Sequence, residues 1–196
     1  TTVSATMRIA KLVGIDVFAT GGIGGVHMGD WDVSQDITEM AKSDVIVVSA
    51  GCKSILDVRK TIEFLEPFQV TVLGYKTNKF PIFYEGLSDY QIDHAVDSPK
   101  EVADIFKAKK ALNIEGAILV ANPIQQEHVI AESEVQGYID QALNECFEKG
   151  ISGKNVTPYL LSRVAQLSNG KTLKANIELL KNNAELACQI ARELIR

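Results

Sequence analysis

The first residue with the setting for covalent chemistry is Lys53, in Gly51-Cys52-Lys53-Ser54-Ile55-Leu56-Asp57. Ser54 and Asp57 have the spacing of a helix start. That reading places Lys53 just before a helix N-terminus, where the partial positive charge disfavours an ammonium group. Burial would lower its pKa further and leave a neutral amine at physiological pH. A neutral amine attacks a carbonyl and forms a Schiff base. The plainer alternative is an exposed lysine bordering a loop. The stretch is not a P-loop, because no glycine immediately precedes the lysine.

A second candidate is Thr20-Gly21-Gly22-Ile23-Gly24-Gly25-Val26-His27. Its glycines allow backbone amides to crowd around an anion, or form a tight, unliganded turn. The dinucleotide fingerprint fails, since after Gly22 and Gly24 the third glycine would fall at His27. Between the two loops lie Asp30, Asp32 and Asp36. Three carboxylates so close together offer oxygen ligands to Mg²⁺ or Mn²⁺, although Asp36 also suits a helix N-cap, with Ser34 assisting, and acidic turns are common. His27 could ligate a metal, contact an anion or satisfy the turn. His94 and His128 have no companions and receive no role. Cys52, Cys146 and Cys188 are widely spaced and odd in number, which fits reduced thiols in a cytoplasmic protein better than a disulfide framework or a zinc site.

The elements that must carry these residues follow from hydrophobic periodicity. Residues 4–13 read as a helix stopped by Gly14, and 15–19 as a short buried strand ending at the glycine run. A helix over 36–42 and a strand over 45–49 come next. The helix after Lys53 has the stripe Ile55, Val58, Ile62 and Leu65. Strands over 70–75 and 117–120 follow, with an aromatic-rich connection at 80–84 and a helix opened by Pro99 and running to 112. The remainder reads as helices over 133–149, 158–168 and 173–195. Alternating helices and short apolar strands indicate one α/β domain over residues 1–196, a layered α/β/α fold with a mixed, mainly parallel sheet. In such folds ligands collect at the carboxyl ends of strands, where both loops lie. In the last helix Leu173, Ile177, Leu180, Ala184, Ala187, Ala191 and Leu194 recur at steps of four and three. They fit a helix packed on its own sheet better than an oligomer seam, because several are alanine.

Composition narrows the function classes. Among 196 residues, 46% are hydrophobic and 23% charged, an ordinary globular mixture with no apolar run long enough to span a membrane. A net charge of −5 argues against wholesale nucleic-acid binding. A phosphorylated metabolite needs only a local positive pocket.

The chain resembles the pseudouridine-5′-phosphate glycosidase family, also called indigoidine synthase A-like proteins. The matching stretches are TTVSATMRI at 1–9, FATGGIGGVH at 18–27, DVSQDIT at 32–38 and AGCKSILD at 50–57. Further along come Gly74-Tyr75 with Phe80-Pro81, VANP at 120–123, Gly153-Lys154 with TPYLL at 157–161, LKANI at 173–177 and Asn182-Asn183. The resemblance implies reversible cleavage of the C–C glycosidic bond of pseudouridine 5′-phosphate to uracil and ribose 5-phosphate. It makes Lys53 the lysine that attacks C1′ of the opened ribose, and Asp32 the ligand of a hydrated divalent metal, usually Mn²⁺. It assigns substrate contacts to Val3, Ser34, Gln35 and Asp36, and secondary ones to Thr2, Thr20, His27 and Asn176. A homotrimer is implied as well. Relatives begin well before Thr1, and by the resemblance that portion supplies a glutamate acid–base and a phosphate-binding lysine. The present chain then corresponds to the larger C-terminal part of the catalytic domain. Met28 departs from the basic residue several relatives carry after the histidine, and Cys52, replacing a small residue, reads as packing. Two other readings stay open: a non-catalytic sugar-phosphate-binding or assembly subunit of the same fold, and a Schiff-base lyase acting on another pentose phosphate.

Overall fold

The computed structural model describes residues 2–28 and 32–196. The central sheet is built on two strands with no polar alternation, β3 (Ile46–Ser49) and β9 (Ile118–Ala121), both buried throughout. Strands of this kind are covered on both faces. The sheet order is β1 (Val17–Ala19), β3, β9, β5 (Thr71–Tyr75) and β8 (His94–Val96), with every pairing parallel. Phe18 registers with Val47, and Val47 with Leu119.

The period-two alternation of strand side chains divides the interior. Val45, Val47 and Leu119 pack with Met7 and Ala10 of α1 (Val3–Val13), Ile37 and Met40 of α2 (Gln35–Met40), Ile139 of α5 (Glu132–Glu148) and Leu160 of α6 (Val156–Leu167). Ile46, Val48, Ile118 and Val120 face the other way, onto Val102 and Phe106 of α4 (Pro99–Ala111) and Leu186 and Ile190 of α7 (Lys171–Leu194). The α/β/α layering expected from the sequence is present, and the central sheet is wholly parallel. Outside it stand two antiparallel ribbons, β2 (Val26–His27) with β4 (Leu56–Asp57) and β6 (Lys79–Ile82) with β7 (Gly86–Gln91). No helix among the described residues is long and apolar enough to cross a membrane.

Local signals set several boundaries as read. Thr2 caps α1, accepting from the Ala5 N–H, and Gly14 ends that helix in the left-handed conformation at φ 74°. Ser98 caps α4 with Pro99 in its first turn.

Four expectations need correction. The helix after Lys53 is α3 (Val58–Leu65), capped by Asp57, so Lys53 lies in an irregular turn well ahead of it. A ribbon pairing to β2 uses Leu56 and Asp57 first, and Ile55 belongs to the core without being helical. Helix α2 begins at Gln35 with Ser34 as its cap, making Asp36 an interior residue of the first turn. The connection at 80–84 is half of the β6–β7 hairpin, disguised by Pro81 within a strand. Helix α7 does pack on its own sheet, but through Thr172, Ala175, Leu179, Asn183, Leu186 and Ile190, with Ala187 the buried member of the expected stripe. The stripe led by Leu173, Ile177 and Leu180 is 53, 46 and 44% exposed, because buried Thr172 and Asn183 shift the inward face away from the most apolar line.

Candidate active site

The two chemistry-bearing loops meet at the carboxyl end of the parallel sheet. β1 ends in the glycine run and β3 ends in residues 50–57. Their backbones are stitched together: the Ile23 N–H donates to Gly51 O (2.9 Å), the Ala50 N–H to Gly21 O (2.9 Å) and the Lys53 N–H to Ile23 O (3.2 Å). Ribbon β2–β4 extends the seam, setting His27 opposite Leu56. Gly51 has φ 75°, and a Cβ there would collide with Pro81 O, so only glycine lets the hairpin approach the lysine turn.

Asp36 fastens the α1 end of this assembly. It is 4% exposed, and its carboxylate accepts from the Gly24 N–H at 2.8 Å and from the Ser4 N–H at 2.7 Å. One side chain thus ties the glycine loop to the first turn of α1, where Thr2 and Val3 lie. The Ser34 hydroxyl accepts from the Asp36 N–H at 3.2 Å, and a Cβ on Gly24 would run into that hydroxyl. The amides of Ile23, Gly24 and Val26 are all taken by protein acceptors. The glycines therefore serve close backbone approach, and those three amides are not available to an anion.

Lys53 is half-buried, and among the described residues its ammonium has no hydrogen-bond or ion-pair partner. The helix-terminus effect expected for it does not operate, since α3 starts only at Val58. Cys52 beside it is fully buried, and that burial pushes its thiol pKa up to about 12. Such a thiol is a packing group and not a nucleophile.

Asp32 is exposed and lies next to His27, whose N–H donates to Asp32 O at 2.9 Å, and the neighbouring bridge pairs Val26 with Val33. The Asp32 carboxylate has no partner among the described residues. No cluster of three or more His, Cys, Asp or Glu suited to a metal occurs among them, and Asp30 lies outside the described residues. Of the two described carboxylates, Asp36 is committed to backbone donors and Asp32 has no partner among the described residues. A hard oxygen donor of this kind fits a largely hydrated Mg²⁺ or Mn²⁺.

The remaining predicted residues lie on elements that border these loops. Thr20 is half-buried and its N–H donates to Val48 O (2.9 Å). Gln35 is exposed at the start of α2. Asn176 reaches across from α7, its Oδ1 standing 2.9 Å from where a Gly21 Cβ would be. Asn183 enters the sequence reading only as part of a matched motif. It is wholly buried, donating to Thr20 O (2.8 Å) and accepting from the Asn122 Nδ2 (2.9 Å). This pair pins the ends of β1 and β9 to α7, and the sequence signal for it is a polar residue repeating among apolar ones on a helix face.

Residues 1–193 match the family described as indigoidine synthase A like protein. Over 99% of its length the chain is 81% identical to a pseudouridine-5′-phosphate glycosidase of Fervidobacterium nodosum and 61% identical to one of Thermosipho africanus. It spans 66% of the length of each of these relatives. A crystal structure of an indigoidine synthase A-like protein from Thermotoga maritima superposes with a TM-score of 0.93 at 41% identity, covering 100% of this chain and 65% of that one. The prealnumycin C-glycosynthase AlnA, solved in complex with ribulose 5-phosphate, superposes with a TM-score of 0.89 at 37% identity, covering 98% of this chain and 65% of its own. With nearly every residue matched and the fold shared throughout, the chain belongs to the indigoidine synthase A-like family.

Proposed function

We propose that this chain carries the lysine-bearing part of an enzyme that cleaves, reversibly, the C–C glycosidic bond of pseudouridine 5′-phosphate. The observation that carries this reading is the 81% identity, over 99% of the chain, to a protein named for that activity. The geometry supports it, because the loops that carry His27 and Lys53 are stitched together, with Asp32 bonded to the first through its backbone, Asp36 of α2 tied to Gly24 and Asn176 of α7 close to Gly21.

A carbon-linked base cannot depart by protonation of an exocyclic oxygen, so the usual two-carboxylate glycosidase scheme does not apply. In the synthetic direction the uncharged Lys53 amine adds to the C1′ aldehyde of ring-opened ribose 5-phosphate, and loss of water gives an iminium. Uracil C5 then adds to C1′ and forms the C–C bond. The C5 proton passes to a base, and the 4′-hydroxyl displaces the amine as the ring closes. Cleavage runs these steps backwards. The proton transfers need an acid–base group, which the resemblance assigns to a glutamate that no position of this chain matches. Asp32 would hold a divalent cation, whose charge favours binding of sugar and phosphate oxygens. Ser34, Gln35, Asp36, Thr2, Val3, Thr20, His27 and Asn176 would line the substrate. We place the full-length protein in the cytoplasm as a homotrimer.

Borohydride trapping with ribose 5-phosphate, read by peptide mass spectrometry on the full-length protein, tests the reading. A ribose-derived adduct on Lys53, lost with cleavage activity in Lys53→Ala, is expected. Saturable ribose 5-phosphate binding with neither adduct nor turnover would overturn it in favour of a non-catalytic sugar-phosphate-binding subunit.

A further inference from the structure

The β6–β7 hairpin stands outside the central sheet, yet it is fastened to both loops of the candidate site. The Phe83 N–H donates to Ala50 O at 2.9 Å, and Ile82 bridges Gly51 and Cys52. The Phe83 ring lies 2.8 Å from where a Cβ would stand on Gly22. At its far side the hairpin tip is held by the Ile130 N–H, which donates to Tyr84 O at 2.9 Å. The tip is therefore a rigid arm set against the turn that carries Lys53.

Glu85 is carried on this tip, its N–H closing the turn onto Ile82 O at 2.7 Å. Its side chain lines a cavity of about 230 Å³ together with Ser54, the residue after Lys53. Ser54 is 5% exposed, and its hydroxyl is the one buried side-chain oxygen or nitrogen without a hydrogen-bond partner among the described residues. A buried hydroxyl left without a partner is costly, so its neighbours matter. Ser54 and Glu85 face the same cavity, and the Glu85 charge is also felt at Cys52, on the other side of Lys53. Burial, and then the negative charge of Glu132 on α5, push the Glu85 carboxyl up to about 7, while the Ser54 hydroxyl opposes them. The other charged or titratable groups lining the cavity are Asp57 and Arg59 on the lysine side and Tyr90 on β7.

We propose that Glu85 is a positioning residue for Lys53, acting through Ser54: its ionised carboxylate takes up the orphan Ser54 hydroxyl and fixes the turn, and its protonation releases it. The proposal rests on Lys53 being the nucleophile, and it adds a control that neither the family resemblance nor the relatives' names assign. Glu85 makes no contact with substrate in this role. Its effect is on how well the amine is held, which should appear in turnover more than in substrate affinity.

The test uses the full-length protein and reads Lys53 directly. Trace acetylation with acetic anhydride, quantified by mass spectrometry against exposed Lys100, gives the relative reactivity of Lys53 between about pH 6 and about pH 8. The wild type should show a step of about threefold or more centred near neutrality, absent in Glu85→Gln and in Ser54→Ala, and restored in part by Glu85→Asp. Both losses should lower kcat by roughly tenfold with KM within about twofold, and the double variant should be no worse than either single one. A Glu85→Gln labelling profile indistinguishable from wild type overturns the proposal, even if kcat falls. Absence of a ribose adduct on wild-type Lys53 would instead remove the function proposed above, and the acetylation profile would still decide whether Glu85 positions the turn.

Discussion

Replacing Asp36 by alanine removes the acceptor of two backbone N–H groups at once, and the structure allows the cost to be worked out. Hydrogen bonds to a charged acceptor contribute about 1.5–3 kcal/mol each. The Gly24 N–H is buried at 2.8 Å from Oδ2, and water cannot replace its partner without opening the loop, so it forfeits most of that range. The Ser4 N–H, 2.7 Å from Oδ1, is only part-buried and can recover about half by hydration. The sum is about 2–4 kcal/mol. Asp36→Asn keeps one carbonyl acceptor but turns an NH₂ toward the other N–H, so it should cost about 2 kcal/mol. Urea denaturation measures the loss. Hydrogen exchange of the peptide containing Gly24 should accelerate more than that of the β3 peptide, because the tie is local before it is global. A loss below about 1 kcal/mol, or unchanged exchange at Gly24, would refute the assignment of Asp36 as the fastening between the glycine loop and α1.

Three further outcomes follow from the same interior. Asn183→Ala and Asn122→Ala should each destabilise by about 1–3 kcal/mol by stranding a buried partner, and the double variant should fall short of their sum by at least about 0.5 kcal/mol; additive losses in denaturant would contradict the shared network. The raised Glu85 carboxyl means the folded state retains a proton that the unfolded chain has released. Its contribution is therefore fully present below about 4.5 and lost as pH rises through about 7. Over that window the wild type should lose up to about 3 kcal/mol relative to Glu85→Gln, and parallel stability curves for the two proteins would show the carboxyl titrating normally. Cys188 is exposed while Cys52 and Cys146 are buried. Native protein should then react with a thiol reagent at Cys188 alone, with Cys52 labelled only after unfolding; mass spectrometry of the alkylated peptides checks this.

What the sequence made legible was whatever a single segment encodes. The all-apolar runs at 46–49 and 118–121, the glycine stop after α1 and the Ser98-Pro99 start of α4 each carry their own local cause, and each is found where expected. What escaped was decided between segments. As sequence, Asp57 reads as completing a helix start at Ser54. In the fold it first pairs with Val26, and only then caps α3, because ribbon β2–β4 claims Leu56 and Asp57. The inward face of α7 departs from its most apolar line for a related reason. Asn183 faces inward despite its polarity because Thr20 O and Asn122 supply its hydrogen bonds, partners 163 and 61 residues away in the chain. The same logic separates the two acidic residues that looked alike between the loops. Asp36 is spent on backbone donors, whereas the Asp32 carboxylate beside His27 has no partner among the described residues, and spacing within a loop cannot distinguish the two. Lys53 shows the consequence most directly. The helix end that its sequence setting suggests lies elsewhere, so the turn that holds it is stiffened by other means. Those means are the Gly51 approach to Pro81, the Phe83 N–H on Ala50 and the Ile82 bridge to Gly51 and Cys52. All three come from a hairpin that, read as sequence, was only an aromatic connection.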